Sequence, residues 1–139
     1  MVFDFISIDG ILLLIKTIDD LLITQLPFKF QINFTQLGGA VENYYNNCYF
    51  PKKAKFVITI LNTWEDQELT NIGKLIPINF RKNLIKYTSN YCLPNIIDYD
   101  LDDYLTSYYG TNQDKLILIK NKYDPLNIFN WKQSIPLSK

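Results

Sequence analysis

The sequence contains no histidine among its 139 residues, which excludes Ser-His-Asp triads, histidine acid–base catalysis and histidine-ligated metals. Its two cysteines, Cys48 and Cys92, are not paired at the spacing of a zinc site, so we expect ordinary reduced or buried thiols. No Gly-x-Gly-x-x-Gly or Walker-type phosphate loop occurs. These absences remove most motif-defined enzyme classes from consideration.

The chain also lacks an excess of charge of either sign. Lysine plus arginine and aspartate plus glutamate are equal at 14 each, and Arg81 is the only arginine. We therefore expect no nucleic-acid partner and no anionic membrane partner. The apolar run 11–15 is too short to span a bilayer, and no basic region precedes the N-terminal apolar stretch, where Asp4 and Asp9 lie. With no signal peptide or transmembrane segment, the sequence predicts a soluble chain, by default in the cytoplasm.

The N-terminal half carries one helical pattern and two strand patterns. Apolar residues at helical spacing predict a helix from about Ile8 to Ile23 with Ser7 as its N-cap. Alternating apolar and polar residues predict a strand near 28–36, and a second apolar run near 55–63 predicts a strand that ends at Trp64. This order predicts an α+β fold, in which a small antiparallel sheet has helices packed on one face.

A long helical region and a short helix are predicted after the second strand. Asp66 is expected to cap the long region, which runs to Tyr87 and is broken or kinked at Pro77, because proline has no amide hydrogen. Asp100 is expected to cap the short helix 101–109. The acidic cluster around Asp100 lacks the spacing of a calcium loop, so we expect no metal site.

A last helix is predicted from Gln113 to Tyr123. Asn112 is its expected N-cap, and Pro125 prevents the helix from continuing. The spacing of three and four residues predicts one buried face, formed by Leu116, Ile119 and Tyr123. Before this helix, Gly110 is expected to end the preceding one in a conformation that favours glycine.

Three motifs in this tail occur in a recognisable order: Tyr108-Tyr-Gly110, then Lys122-Tyr-Asp-Pro-Leu-Asn-Ile-Phe129, then Gln133-Ser-Ile-Pro136. They resemble the C-terminal signature of the berberine-bridge-enzyme-like family of FAD-linked oxidoreductases. Gly38-Gly-Ala-Val41 and the strand that ends in Trp64 extend the resemblance toward the N-terminus. The resemblance implies that the chain corresponds to the C-terminal third of such a protein, without the flavin-binding domain. Residues 1–91 would be a partial substrate domain, and residues 92–139 the berberine-bridge-like segment.

The same resemblance implies roles for individual residues. Asn95 matches an asparagine that lies beside the flavin in the family, although in the isolated chain an asparagine after a proline is better explained as a turn residue. Thr59 aligns with a polar position on the substrate side. Ile96 falls where many members have a tyrosine that works as, or near, the catalytic base, and isoleucine cannot transfer a proton. No catalytic residue is therefore assigned, and Tyr108 and Tyr109 are expected to be packing aromatics rather than proton carriers.

Two functions follow from these expectations. In the first, the chain is part of an FAD-dependent oxidase of a small-molecule alcohol or similar carbon, and the flavin performs the chemistry. FAD is then the cofactor of the parent family, and the chain alone is expected to bind none and to be inactive. In the second, it is a non-catalytic relic or a protein-interaction module. An exposed edge strand and apolar helix surface are expected to pair with a flavin-domain chain or with a second copy.

Overall fold

A computed structural model describes residues 6–43 and 52–138, so Asp4 and Cys48 lie outside the described residues. The chain divides into two compact units. We call residues 1–38 and 53–90 the sheet unit, and residues 39–52 and 91–139 the tail unit. None of the described helices is long and apolar enough to cross a membrane. The assignment of residues 1–91 and 92–139 to two functional domains stays a prediction.

The sheet unit begins with helix α1, Ile8–Ile23, whose predicted bounds are confirmed. Ser7 caps it as predicted, because its hydroxyl oxygen accepts a hydrogen bond from the Gly10 amide at 3.2 Å. Of the helix residues, Gly10 and Leu14 are buried. Much of the apolar surface of α1 is therefore exposed, at Ile8, Ile11, Leu12, Ile15, Leu22 and Ile23.

Two antiparallel strands, β1 (Lys29–Gln36) and β2 (Phe56–Thr63), form the sheet in a register that pairs Ile32 with Ile60. The predicted α+β fold with a small antiparallel sheet is confirmed. One core cluster of this unit has three buried side chains from α1 and the following helix, and partly buried side chains from the N-terminal segment and both strands pack against them. These core residues are Leu14, Phe80 and Leu84, with Ile6, Leu13, Phe30, Ile32 and Ile60 around them.

Helix α2, Thr70–Leu84, follows a short 3₁₀ turn at Gln67–Leu69. Asp66 caps this turn as predicted, accepting from the Glu68 amide at 2.9 Å. Of the predicted break or kink at Pro77, the break is wrong, because α2 continues through this residue. The helix ends at Leu84 rather than near Tyr87.

The continuity of α2 has an identifiable cause on the neighbouring strand. Pro77 has no amide hydrogen to donate to the carbonyl of Gly73, four residues earlier. The side-chain amide of Asn62 on β2 donates to that carbonyl at 2.9 Å instead. Gly73 is also where the helix meets Trp64, since a Cβ on this glycine would lie 2.6 Å from the indole ring. The helix therefore tolerates proline because the sheet supplies the missing hydrogen bond.

The tail unit contains α3, Tyr104–Tyr109, a 3₁₀ turn at Gly110–Asn112, and α4, Gln113–Tyr123. The bounds of α4 and the helix end before Gly110, which has φ +51°, agree with the predictions. Both capping predictions in this unit are wrong. Helix α3 begins at Tyr104, so Asp100 lies outside it, and the amide of Asp100 donates to the side chain of Asp98 at 3.0 Å.

The cap predicted at Asn112 fails because this residue already has helical backbone angles. It ends the 3₁₀ turn that runs into α4, and it makes no side-chain capping hydrogen bond. The buried face predicted for α4 is also wrong: Ile119 is 41% exposed and Tyr123 is 73% exposed. Helical spacing identifies which residues share a face, but burial depends on what packs against that face.

Candidate functional site

The candidate cofactor residue Asn95 lies in a turn of the tail unit. The amide of Ile96 donates to the carbonyl of Leu93 at 3.2 Å, which closes the turn over Pro94 and Asn95. The Asn95 side chain is exposed and makes no hydrogen bond to any part of the chain that the structure describes. Asn95 thus occupies a turn, as predicted, and its side-chain amide is available to a ligand.

The neighbours of Asn95 are apolar or aromatic and exposed. Ile96, Ile97 and Tyr99 are 46%, 40% and 62% exposed, respectively. An amide beside apolar side chains matches the composition of a ligand-binding surface, which combines apolar contact with a few orienting polar groups. Ile96 has no titratable proton, so this position can contact a ligand but cannot act as a base.

The segment 93–100 is fixed to the rest of the tail unit at Asp98. The hydroxyl oxygen of Tyr108 accepts from the Asp98 amide at 3.0 Å, and it lies 3.2 Å from Oε1 of Gln133, to which it donates. Nε2 of Gln133 donates to the carbonyl of Asp98 at 2.7 Å and to that of Leu101 at 3.3 Å. Tyr108 and Gln133 together therefore bind both backbone polar groups of Asp98.

The side chains that make these hydrogen bonds are buried, since Tyr108 and Gln133 are each 2% exposed. Burial raises the pKa of the Tyr108 phenol above its usual value, and burial also raises the pKa of Tyr109. A buried phenol whose hydroxyl is already hydrogen-bonded to the backbone and to Gln133 is suited to holding structure.

The second motif of the tail, Lys122–Phe129, is fixed by Asp124. Its carboxylate accepts from the amides of Ile128 and Phe129 at 2.8 and 3.1 Å, and it forms an ion pair with Lys120. Lys120 also donates to the carbonyl of Phe129 at 2.6 Å. The hydrogen bond from Lys120 is the main reason that the pKa of the Asp124 carboxyl is lowered, and the two amides lower it further.

Sequence reasoning did not identify Gln133 and Asp124 as hydrogen-bonding centres. For Asp124, the available signal was a lysine four residues earlier, at the spacing of a helical ion pair, followed by a proline that ends the helix. For Gln133 no local signal existed, because its hydrogen-bond partners Tyr108, Leu101 and Asp98 lie 25, 32 and 35 residues away.

The candidate substrate-side residue Thr59 belongs to the sheet unit. It lies on β2 opposite Asn33 of β1, and its side chain is half-buried. Its hydroxyl makes no hydrogen bond to the described residues. Asn95 belongs to the tail unit, so the two candidate residues occupy different compact units. Within residues 6–43 and 52–138, no group of three or more cysteine, aspartate or glutamate residues could hold a metal ion.

Comparisons with known proteins agree with the motifs of the tail. Residues 78–136 match the family described as berberine and berberine like. The chain is 30% identical, over 98% of its length, to an uncharacterized FAD-linked oxidoreductase, YvdP, of Bacillus subtilis. It is also similar in structure to BBE-like 1 of Physcomitrella patens. A variant of that protein is 25% identical with a TM-score of 0.82, and the wild type is 24% identical with the same score.

The extent of these matches is nearly complete for this chain and partial for its relatives. Both structural matches cover 96% of this chain and 28% of the solved chain. In YvdP the matched part is 30% of the protein. The chain therefore spans about a third of the length of the relatives it matches.

Proposed function

We propose that this chain, which is similar to the berberine-bridge-enzyme-like FAD-linked oxidoreductases over about a third of the length of its relatives, forms one wall of the active site of an FAD-dependent oxidoreductase. The substrate class we infer is a small-molecule alcohol or a similarly oxidised carbon. The observation that carries this proposal is the exposed, uncommitted amide of Asn95 within the family-matched segment.

The residues around Asn95 fit contact with a flavin better than they fit catalysis. Asn95 would orient the cofactor through its amide, and Thr59 would face the substrate. The flavin, when bound, supplies the two-electron chemistry. Ile96 offers no proton acceptor at its position, so proton transfer would require another group. We propose that the chain has no oxidoreductase activity unless a flavin-binding domain is joined to it or associated with it.

The sheet unit supports the need for such a partner. Ile8, Leu22 and Ile23 of α1 are 70–77% exposed, and the described sheet has two strands, each with one edge that is not paired within it. Exposed apolar helix surface and unpaired strand edges are typical of surfaces that another polypeptide covers. We propose that the rest of the substrate-binding and flavin-binding structure, on the same chain or a separate one, covers this surface.

The test is a visible absorption spectrum of the protein purified from its native source, together with intact masses of every chain that co-elutes. We expect a flavin spectrum that accompanies the chain together with its flavin-binding partner. Replacement of Asn95 by alanine should then alter the flavin absorption bands, whereas replacement of the exposed Lys115 on α4 should not. A colourless protein, in all fractions that contain the chain, would refute the proposed role in an oxidoreductase.

The alternative is a non-catalytic relic or interaction module. The absence of a proton-transferring side chain at the exposed position 96 favours it. The same purification separates the two, because an interaction module would co-elute with a partner, or with itself, without flavin absorption.

A further inference from the structure

The side chains of Tyr108 and Gln133 form a bridge from α3 and the C-terminal tail to the Asn95 turn. Asp98 lies three residues after Asn95, and both of its backbone polar groups are hydrogen-bonded by this bridge. The bridge spans 10 residues of sequence from Tyr108 and 35 residues from Gln133. It therefore uses parts of the fold outside the segment that it fixes.

The segment needs such a bridge because it has no regular secondary structure. Residues 91–103 contain turns and irregular backbone, with no helix or strand. Local hydrogen bonds close individual turns, as from Ile96 to Leu93 and from Leu101 to Asp98, but they leave the direction of the segment open. Hydrogen bonds from two distant, buried side chains restrict that direction, since breaking them would leave the polar atoms of Tyr108 and Gln133 unsatisfied away from water.

We propose that Tyr108 and Gln133 are positioning residues, which hold the turn containing Asn95 and Ile96 in the orientation used for cofactor contact. The link to cofactor contact rests on the proposed function. The orientation of the turn does not, and it can be measured without flavin. Tyr108 belongs to the Tyr-Tyr-Gly motif and Gln133 to the Gln-Ser-Ile-Pro motif, so the two motifs are joined by one hydrogen-bonded bridge.

Tyr104 provides a matched control within the same helix. It lies one turn before Tyr108, and its hydroxyl donates to the carbonyl of Ser134 at 2.9 Å. Tyr104→Phe therefore also removes one hydroxyl that anchors the tail, but it leaves the Asp98 backbone bonds intact. Gln133→Met removes the amide of Gln133 at similar size, as a second variant that does not alter Tyr108.

The primary measurement is amide hydrogen exchange across the whole chain. We expect Tyr108→Phe and Gln133→Met to accelerate exchange of the Asp98 amide and its neighbours from Ile96 to Tyr99 by about tenfold or more relative to α4. Tyr104→Phe should leave that segment unchanged. Equal acceleration by all three variants, or uniform acceleration throughout the tail unit, would overturn the positioning role.

The flavin spectrum of the assembled protein decides what the turn is positioned for. A shift of the flavin bands in Tyr108→Phe but not in Tyr104→Phe is expected. If flavin is bound and its bands do not respond, the cofactor-positioning role is overturned while the proposed function stands. If the unaltered protein carries no flavin, the proposed function fails and the cofactor role falls with it, whatever the exchange result.

Discussion

The hydrogen bond from Asn62 to the Gly73 carbonyl yields a quantitative prediction about how α2 tolerates Pro77. Asn62→Leu removes the donor at similar side-chain size and leaves the carbonyl of a buried residue unsatisfied. An unsatisfied buried polar group costs about 1–3 kcal/mol. Oδ1 of Asn62 is itself buried and makes no hydrogen bond to the described residues, and its removal offsets part of the loss. We expect a net destabilisation of about 1–2 kcal/mol.

The second perturbation restores the missing donor. Pro77→Ala supplies an amide at the position that normally bonds to Gly73, so Asn62 is no longer needed. In this background Asn62→Leu should cost less than about 0.5 kcal/mol. The assay is urea unfolding of the four variants, monitored by circular dichroism, with the coupling energy taken from the double-mutant cycle. Asn33→Leu on the neighbouring strand controls for placing leucine at a half-buried position of the sheet.

Equal costs of Asn62→Leu in both backgrounds would refute the reasoning. That result would mean that the Gly73 carbonyl finds another partner, such as water, and that the side-chain amide is incidental to the continuity of the helix. A coupling energy near about 1 kcal/mol or above would support it.

Three further predictions concern packing and pH. Gly73→Ala should lower the melting temperature, because the added Cβ would lie 2.6–2.9 Å from the indole ring of Trp64. The destabilisation should disappear when Trp64 is also replaced by alanine. Asp124→Asn should remove the acid-labile part of tail stability, measured by amide exchange of the tail against pH. Because the folded pKa of Asp124 is lowered, its contribution is full above the usual aspartate pKa of about 4 and is lost as pH falls through the folded value. Burial raises the pKa of Tyr108, so Tyr108→Phe should remove one phenol that ionises at unusually high pH from the alkaline absorbance titration. The stability that Tyr108 contributes is lost as pH rises through its folded pKa.

Local patterns in the sequence predicted most element boundaries. Periodicity predicts the bounds of α1 and α4 and the positions of the two strands, and breakers such as Pro125 end the helices. Both signals act within a few residues. The continuation of α2 through Pro77 could not be predicted from such local patterns. The residue that rescues α2 lies on another element, and propensity contains no information about it.

The candidate site likewise combines a feature that local sequence predicts with features that depend on distant contacts. A proline followed by Asn95 predicted a turn, and the structure has one. The bridge through Gln133 and the amide contacts of Asp124 could not be anticipated, because they depend on which backbone groups a folded tail leaves unpaired. The capping prediction at Asp100 failed because α3 begins only at Tyr104, and the one at Asn112 failed because a 3₁₀ turn runs directly into α4.

The ion pair of Asp124 and Lys120 has a consequence for molecular association. The two residues bind the amides of Ile128 and Phe129 and the carbonyl of Phe129, while those side chains are 73% and 78% exposed. The chain thus presents apolar side chains on backbone that is ordered before any encounter. A surface that receives them has less disorder to remove, because fixing the backbone of one residue costs about 1–2 kcal/mol when a partner must impose it. Recognition by this segment is therefore expected to resemble the docking of a rigid body, with little change in its amide protection on binding.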